Sequence, residues 1–356
     1  MQFTSKPNYE ETLKRFEAVF QGEVADRVPV NIALPAEKQI PVPQKQHANA
    51  REFHWDIEFR TEQLDAQIQN TDYGIADAIP MVRANLGPEL VAVWCGCELH
   101  YAYDTTWTTP CITDWKDADK YTIDFENPVF KLYDRFMDLL IERGKGRFIV
   151  GPNSFAGSAD TLAAMRNPQQ FALDLYDHPE EVKKKLTSAA ADTFAAYDYF
   201  YKKLRAAAMP LTGFITAIYE GKYHMIQNDF SYMVSEEMFE EFFLECAARE
   251  CRFFTKNFYH LDGIGALKHL DALLTIPELC AMQWLPGAGH YGFQKWIPVY
   301  QKIQKAKKGL TVHLDVSDLD ALFSSLRPEG VYIEGLGGVD SRDTAKRVLE
   351  RVRNWK

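Results

Sequence analysis

The residues best equipped for chemistry stand in FYHLDGIG (258–265), where an aromatic run ends in His260 and Asp262 just before Gly263. Along a strand, positions i and i+2 share a face, so this imidazole and carboxylate point the same way. Such a pair suits a metal ion or a polarised substrate, and it also suits a solvated turn. The spacing recurs in GLTVHLDV (309–316): Thr311, His313 and Asp315 share one face, while Leu310, Val312, Leu314 and Val316 share the other. Asp315 is equally suited to cap the helix that follows. Glu334 precedes GLGG, where a carboxylate beside backbone N–H groups could hold a metal or polarise a substrate. Further polar residues fall at comparable places: Asn153 after FIVGP, then Tyr219, Glu220, His224, Asn228 and Asp229, and Gln283 with Trp284 in CAMQWLPG.

The elements that must position these residues alternate. The C-terminal third reads as KNFYHLDG, CAMQWLPGAG, GLTVHLDV and GVYIEGLGG, each an apolar strand followed by a helical segment. Strand–helix units in series predict parallel strands with right-handed crossovers. Upstream, Asn127 caps a helix over 127–144 with Pro128 in its first turn, RFIVGPN is a strand, and 178–208 is a long helix. PLTGFITAI (210–218) is expected as a strand, and Ser235 opens a helix over 235–254. An amphipathic helix at about 9–21 ends at Gly22, DRVPVNIAL (26–34) is a short strand, and 35–75 is a polar insertion with a helix from about 49 to 68. The series predicts one (β/α)8 TIM-type barrel domain over 1–356, with an open parallel sheet as the competing arrangement. In such barrels the site lies at the C-terminal ends of the strands.

The bulk properties narrow the partners. With 356 residues, 46% hydrophobic and 25% charged, the chain has ample material for one large core. A net charge of -10 argues against nucleic acid and anionic membranes, which require a basic face. No apolar run approaches the roughly 20 residues of a membrane span. The N-terminal stretch lacks an apolar signal core, and six cysteines then read as reduced thiols, so a cytoplasmic location is expected. Cys95, Cys97 and Cys111 are read as small buried residues rather than a metal knuckle. A homodimer is compatible with the sequence.

Several stretches together resemble the uroporphyrinogen decarboxylase superfamily, which includes corrinoid- and coenzyme M-dependent methyltransferases. They are RFEAVFQGEVADRVPV, DAIPMVRANLGPELVAVWCGCEL, DTTWTTPCITDWKD, NDFSYMVSEEMFEEFFLE and the His-x-Asp-Gly stretch at 260–263, and they keep the family order. The resemblance implies a (β/α)8 barrel. True decarboxylases of the family carry an arginine-rich first loop that holds the tetrapyrrole carboxylates. The matching VPVNIALPAEKQI here contains no arginine, which points to the methyltransferase branch.

That branch carries zinc on a His-x-Cys-Gly stretch and a late cysteine. Here His260 and Gly263 match, Asp262 replaces the cysteine, and Glu334 stands near the late position in IEGLGG. The implied metal set is His260, Asp262 and Glu334, holding Zn2+ or another divalent metal. The resemblance further implies His260, Asp262, Asp229 and His313 as catalytic residues, with His313 as acid/base or orienting group. Asn153, Tyr219, Gln283, Trp284 and Asp315 are the expected substrate contacts, Trp284 and Tyr219 as apolar walls. The implied function is a methyltransferase or demethylase acting on a small methylated compound, with the corrinoid on a separate partner protein. The alternatives are a decarboxylase (lyase) acting on a smaller carboxylate and a non-catalytic small-molecule-binding barrel.

Overall fold

The computed structural model describes residues 3–155 and 157–356. Its spine is a five-stranded parallel sheet: β1 Tyr223–Gln227, β2 Lys256–Asp262, β3 Ala281–Leu285, β4 Gly309–Asp315 and β5 Val331–Gly337, adjacent in chain order. Between consecutive strands the chain returns through helices, among them Leu244–Phe253, Ile297–Lys305 and Leu319–Ser325. This is the parallel arrangement that serial strand–helix units require. The strands are apolar on both faces, as burial beneath helices demands: Phe258, Tyr259, Leu261, Met282, Val312 and Ile333 are all buried.

Further parallel pairings flank this sheet. Met81–Arg83 pairs with Ile149–Gly151, aligning Arg83 with Gly151. Val30 makes a parallel bridge to Ile333 of β5, with Asn31 N donating to Ile333 O and Ile333 N to Pro29 O. Asp77 N donates to Val30 O, tying the segment before Met81 to the same place. Buried Asp77 accepts from Val30 N, Arg15 and Arg27, so its charge is fully partnered.

The long strand expected over 210–218 is instead a short antiparallel hairpin, Leu211–Thr212 with Ile218–Tyr219, and the parallel strand of this region is β1. The reason is local: Thr212-Gly213-Phe214 turns the chain, while Tyr223–Gln227 is buried on both faces beside β2. Residues 35–75 carry two helices, Ala50–Trp55 and Ile57–Gln69, each started by a side-chain cap from Asn49 or Asp56. ELVAVW folds as a short helix, Leu90–Trp94. Trp94 at its end is fully buried among Phe130, Tyr133, Phe155 and Phe200. Truncating such a residue to Ala costs about 3–5 kcal/mol. Among the described residues, no helix is long and apolar enough to cross a membrane.

Candidate metal and substrate site

Parallel register sets the centre of the site. His260 on β2 aligns with Gln227 of β1 on one side and Gln283 of β3 on the other, and Gln283 aligns in turn with Thr311 of β4, so four polar side chains occupy one layer of the sheet. A buried polar layer persists only if its members are hydrogen-bonded to one another. His260 Nδ1 lies 2.5 Å from Gln283 Oε1, and Gln283 Nε2 donates to Glu334 Oε2 at 2.5 Å. Glu334 Oε2 also lies 3.2 Å from His313 Nε2.

This chain fixes chemistry as well as position. The Gln283 amide nitrogen faces a carboxylate, so its carbonyl oxygen faces His260, which must place a proton on Nδ1. The His260 Nε2 lone pair is thereby free to act as a ligand or base. Gln283 is only 1% exposed, which protects the arrangement from exchange with water.

Two carboxylates lie near the His260 ring. Asp262 ends β2, and Asp229 follows β1 by two residues; with His260 they bring one ligand atom each within 4.8 Å of one another. Asp229 is carried by a stiffened turn: Asp160, in the first turn of the Ser158–Arg166 helix, accepts from Asp229 N at 3.1 Å and Phe230 N at 3.0 Å. Gln227 Nε2 donates to both Asp160 and Asp229, each at 3.3 Å.

Crowding of like charges shows in the protonation. Burial, with neighbouring Asp262, pushes the Asp229 carboxyl up to about 6. Burial, with Asp229, pushes Asp160 up to about 6. Behind them Glu250 accepts from Ser158 N and Oγ at 2.9 Å, and burial pushes it up to about 7. One imidazole nitrogen and two carboxylate oxygens with mutual repulsion form a donor set that a divalent cation fits and neutralises.

The site opens into a cavity of about 480 Å³ lined by His260, Asp229, Gln227, Asn153, Ser154 and Phe214, with Arg60 and Arg83. Phe214 is 42% exposed and stands edge-on to His260, ring centroids 5.6 Å apart. Gly263 turns the chain after Asp262 with φ of 81°, and a Cβ on Gly265 would fall 2.5 Å from the Tyr232 ring.

The expected residues divide. His260, Asp262 and Asp229 converge, Asn153 lines the same cavity, and Gln283 orients His260 from behind. Glu334 is not in the group of three: Gln283 stands between it and His260, and it bonds His313 instead. His313, Asp315 and Trp284 line a second cavity of about 350 Å³ with Tyr291 and Trp296. Trp284 lies there because it alternates with Gln283 and so leaves the opposite face of β3. Asp315 also pairs reciprocally with Asp318 at the start of the next helix. Tyr219 packs against Phe20 of the N-terminal helix, away from both cavities. Buried His224 is pushed down to about 4 by burial, so it is a neutral core residue. Sequence reasoning passed over Arg83, Phe214, Gln227 and Asp160. An arginine ending an apolar strand in MVRAN was the available signal for the first.

No family model and no curated protein matches the chain. Solved structures do, among them a methyltransferase from Methanosarcina mazei: 12% sequence identity, a TM-score of 0.60, and coverage of 96% of this chain and 98% of that one. At that identity the likeness concerns the fold.

Proposed function

We propose that the chain is a metal-dependent enzyme of the methyltransferase type, acting on a small methylated compound and passing the methyl group to a corrinoid held by a separate protein. The observation that carries this reading is the convergence of Asp229, His260 and Asp262 at the C-terminal ends of adjacent parallel strands, beside an open cavity. The parallel pairs that flank the five-stranded sheet are read as further parts of one (β/α)8 barrel, whose C-terminal face is where such sites form. The methyltransferase fold likeness and the family resemblance in the sequence support the choice of reaction.

A divalent ion, Zn2+ or another, would polarise the substrate heteroatom that carries the methyl group. Asp229, His260 and Asp262 would hold it; Gln283 keeps the His260 lone pair directed inward, and Glu334 steadies Gln283. Phe214 supplies an apolar wall that limits water beside the reacting group. His313, linked to Glu334, supports this chain from the second cavity.

The test offers the metal-loaded protein cob(I)alamin with small methylated thiols, amines and ethers, and follows methylcobalamin spectrally. Transfer that Asp262→Ala abolishes is expected; the absence of transfer from every donor class overturns the reading. One observation favours decarboxylation as the second reading: Asp229 faces the cavity and keeps its proton to about pH 6, which suits a proton donor. Carbon dioxide release from small carboxylates without metal would select it.

A further inference from the structure

The cavity has a second pole that the metal reading leaves unused. Arg83 ends the Met81–Arg83 strand, and its guanidinium stands over the Phe214 ring at 5.3 Å. The same Phe214 ring stands edge-on to His260, so Arg83 and the candidate metal ligand both contact one aromatic ring.

Several other sheltered arginines are partnered, although Arg249 also has a buried, unpaired nitrogen. Arg15 bonds Asp26 and Asp77, Arg27 bonds Asp77, and Arg166 bonds Asp174. Arg60, in the same cavity, is satisfied in part by the carbonyl oxygens of Asn85 and His54. Arg83 has no hydrogen bond and no ion pair among the described residues, and its surroundings are sheltered enough that burial holds its guanidinium below the ordinary range. Arg83 is half-buried and lines the cavity, so its unpaired N–H groups are open to an anion that enters from outside the chain.

We infer that Arg83 binds the carboxylate of the substrate, holding one end of a small carboxylate-bearing molecule over Phe214 while the other end faces Asp229, His260 and Asp262. The inference rests on the reading of those three residues as the reaction centre. A planar carboxylate matches the guanidinium fork, with two parallel N–H···O bonds. Arg60 reinforces the positive pole. The carboxylates at the opposite pole disfavour a dianion, so a monocarboxylate is selected over phosphate. The cavity is then dipolar: cation and apolar wall at one end, metal-ligand donors at the other.

The experiment uses the full chain, with methoxyacetate, N,N-dimethylglycine and 4-methoxybenzoate as probes, their amides as neutral counterparts, and inorganic phosphate. Calorimetric titration and thermal melting give affinity and stability together. At least one carboxylate should bind where its amide and phosphate do not. Arg83→Gln should weaken that binding about ten- to hundredfold, the share of one charge-assisted pair, and Arg83→Lys should restore part of it. Arg83→Met should keep or raise the melting temperature.

Absence of binding by all three carboxylates, preference for phosphate, or unchanged affinity in Arg83→Gln overturns the inference. So does a large loss of stability in both Arg83→Met and Arg83→Gln, because the arginine is then structural. Zinc titration of the same samples separates the two readings. Carboxylate binding through Arg83 in a chain that takes up no metal sinks the metal centre alone. Zinc uptake without Arg83-dependent carboxylate binding sinks only this inference.

Discussion

Replacing Gln283 with Leu probes the site without touching a ligand. The substitution keeps roughly the side-chain volume and removes both hydrogen bonds of the amide, to His260 and to Glu334. With Gln283 1% exposed, no water takes its place, and His260 Nδ1–H is left without a partner at a cost of about 1–3 kcal/mol. The His260 ring is then free to rotate or to change tautomer. Loss of an outer partner of a metal-bound histidine typically lowers metal affinity about ten- to hundredfold. Competition with a chromophoric chelator at pH 7.5 reads that loss for Zn2+, and thermal melts confirm that the variant is folded. A folded, less stable Gln283→Leu protein with unaltered zinc affinity would refute the reasoning, since the bond to His260 would then be structural only.

Three further outcomes are expected. Glu250 has its folded value at about 7, above the ordinary 4.5, so its protonated form stabilises the fold; that contribution, up to about 3 kcal/mol, is complete below pH 4.5 and lost as pH rises through 7. Urea melts from pH 4.5 to 8 should show the loss, and Glu250→Gln should remove that part of the slope. Because Asp229 keeps its proton to about pH 6, metal affinity should fall steeply below that pH, and calorimetry at pH 6 in buffers of different ionisation enthalpy should show proton release on binding. Gly265→Ala drives a Cβ into the half-exposed Tyr232 ring, which can swing into solvent, so chemical denaturation should show a cost of no more than about 1 kcal/mol, relieved when Tyr232→Ala is added.

The C-terminal third was legible because its strands are buried on both faces, and because the alternation in GLTVHLDV and YHLD marks which residues share a face. The convergence of Asp229 with His260 and Asp262 followed from resemblance, and the structure brings the three together. The strand at 223–227 was not legible: His224 and Gln227 interrupt its apolar run, and their partners, Phe155 O, Asp160 and Ser154, lie far away in sequence. Glu334 illustrates another limit. The family resemblance grouped it with His260, yet only side-chain geometry shows Gln283 between them. Trp284 shows the reverse: the period-two rule that gathers His260 and Asp262 also sends Trp284 to the face opposite Gln283. Arg83 was visible as a residue, but the lack of an acidic partner exists only in three dimensions.

The most direct measurement of the central claim is divalent-metal binding by the purified chain, by titration with Zn2+, Co2+, Mn2+ and Fe2+, compared across Asp229→Ala, His260→Ala, Asp262→Ala and Glu334→Ala. The account predicts a single site per chain, lost or severely weakened in each of the first three variants and weakened less in Glu334→Ala, whose carboxylate acts through Gln283. Absence of binding for all four ions, or binding that survives the loss of His260 and Asp262, would contradict it.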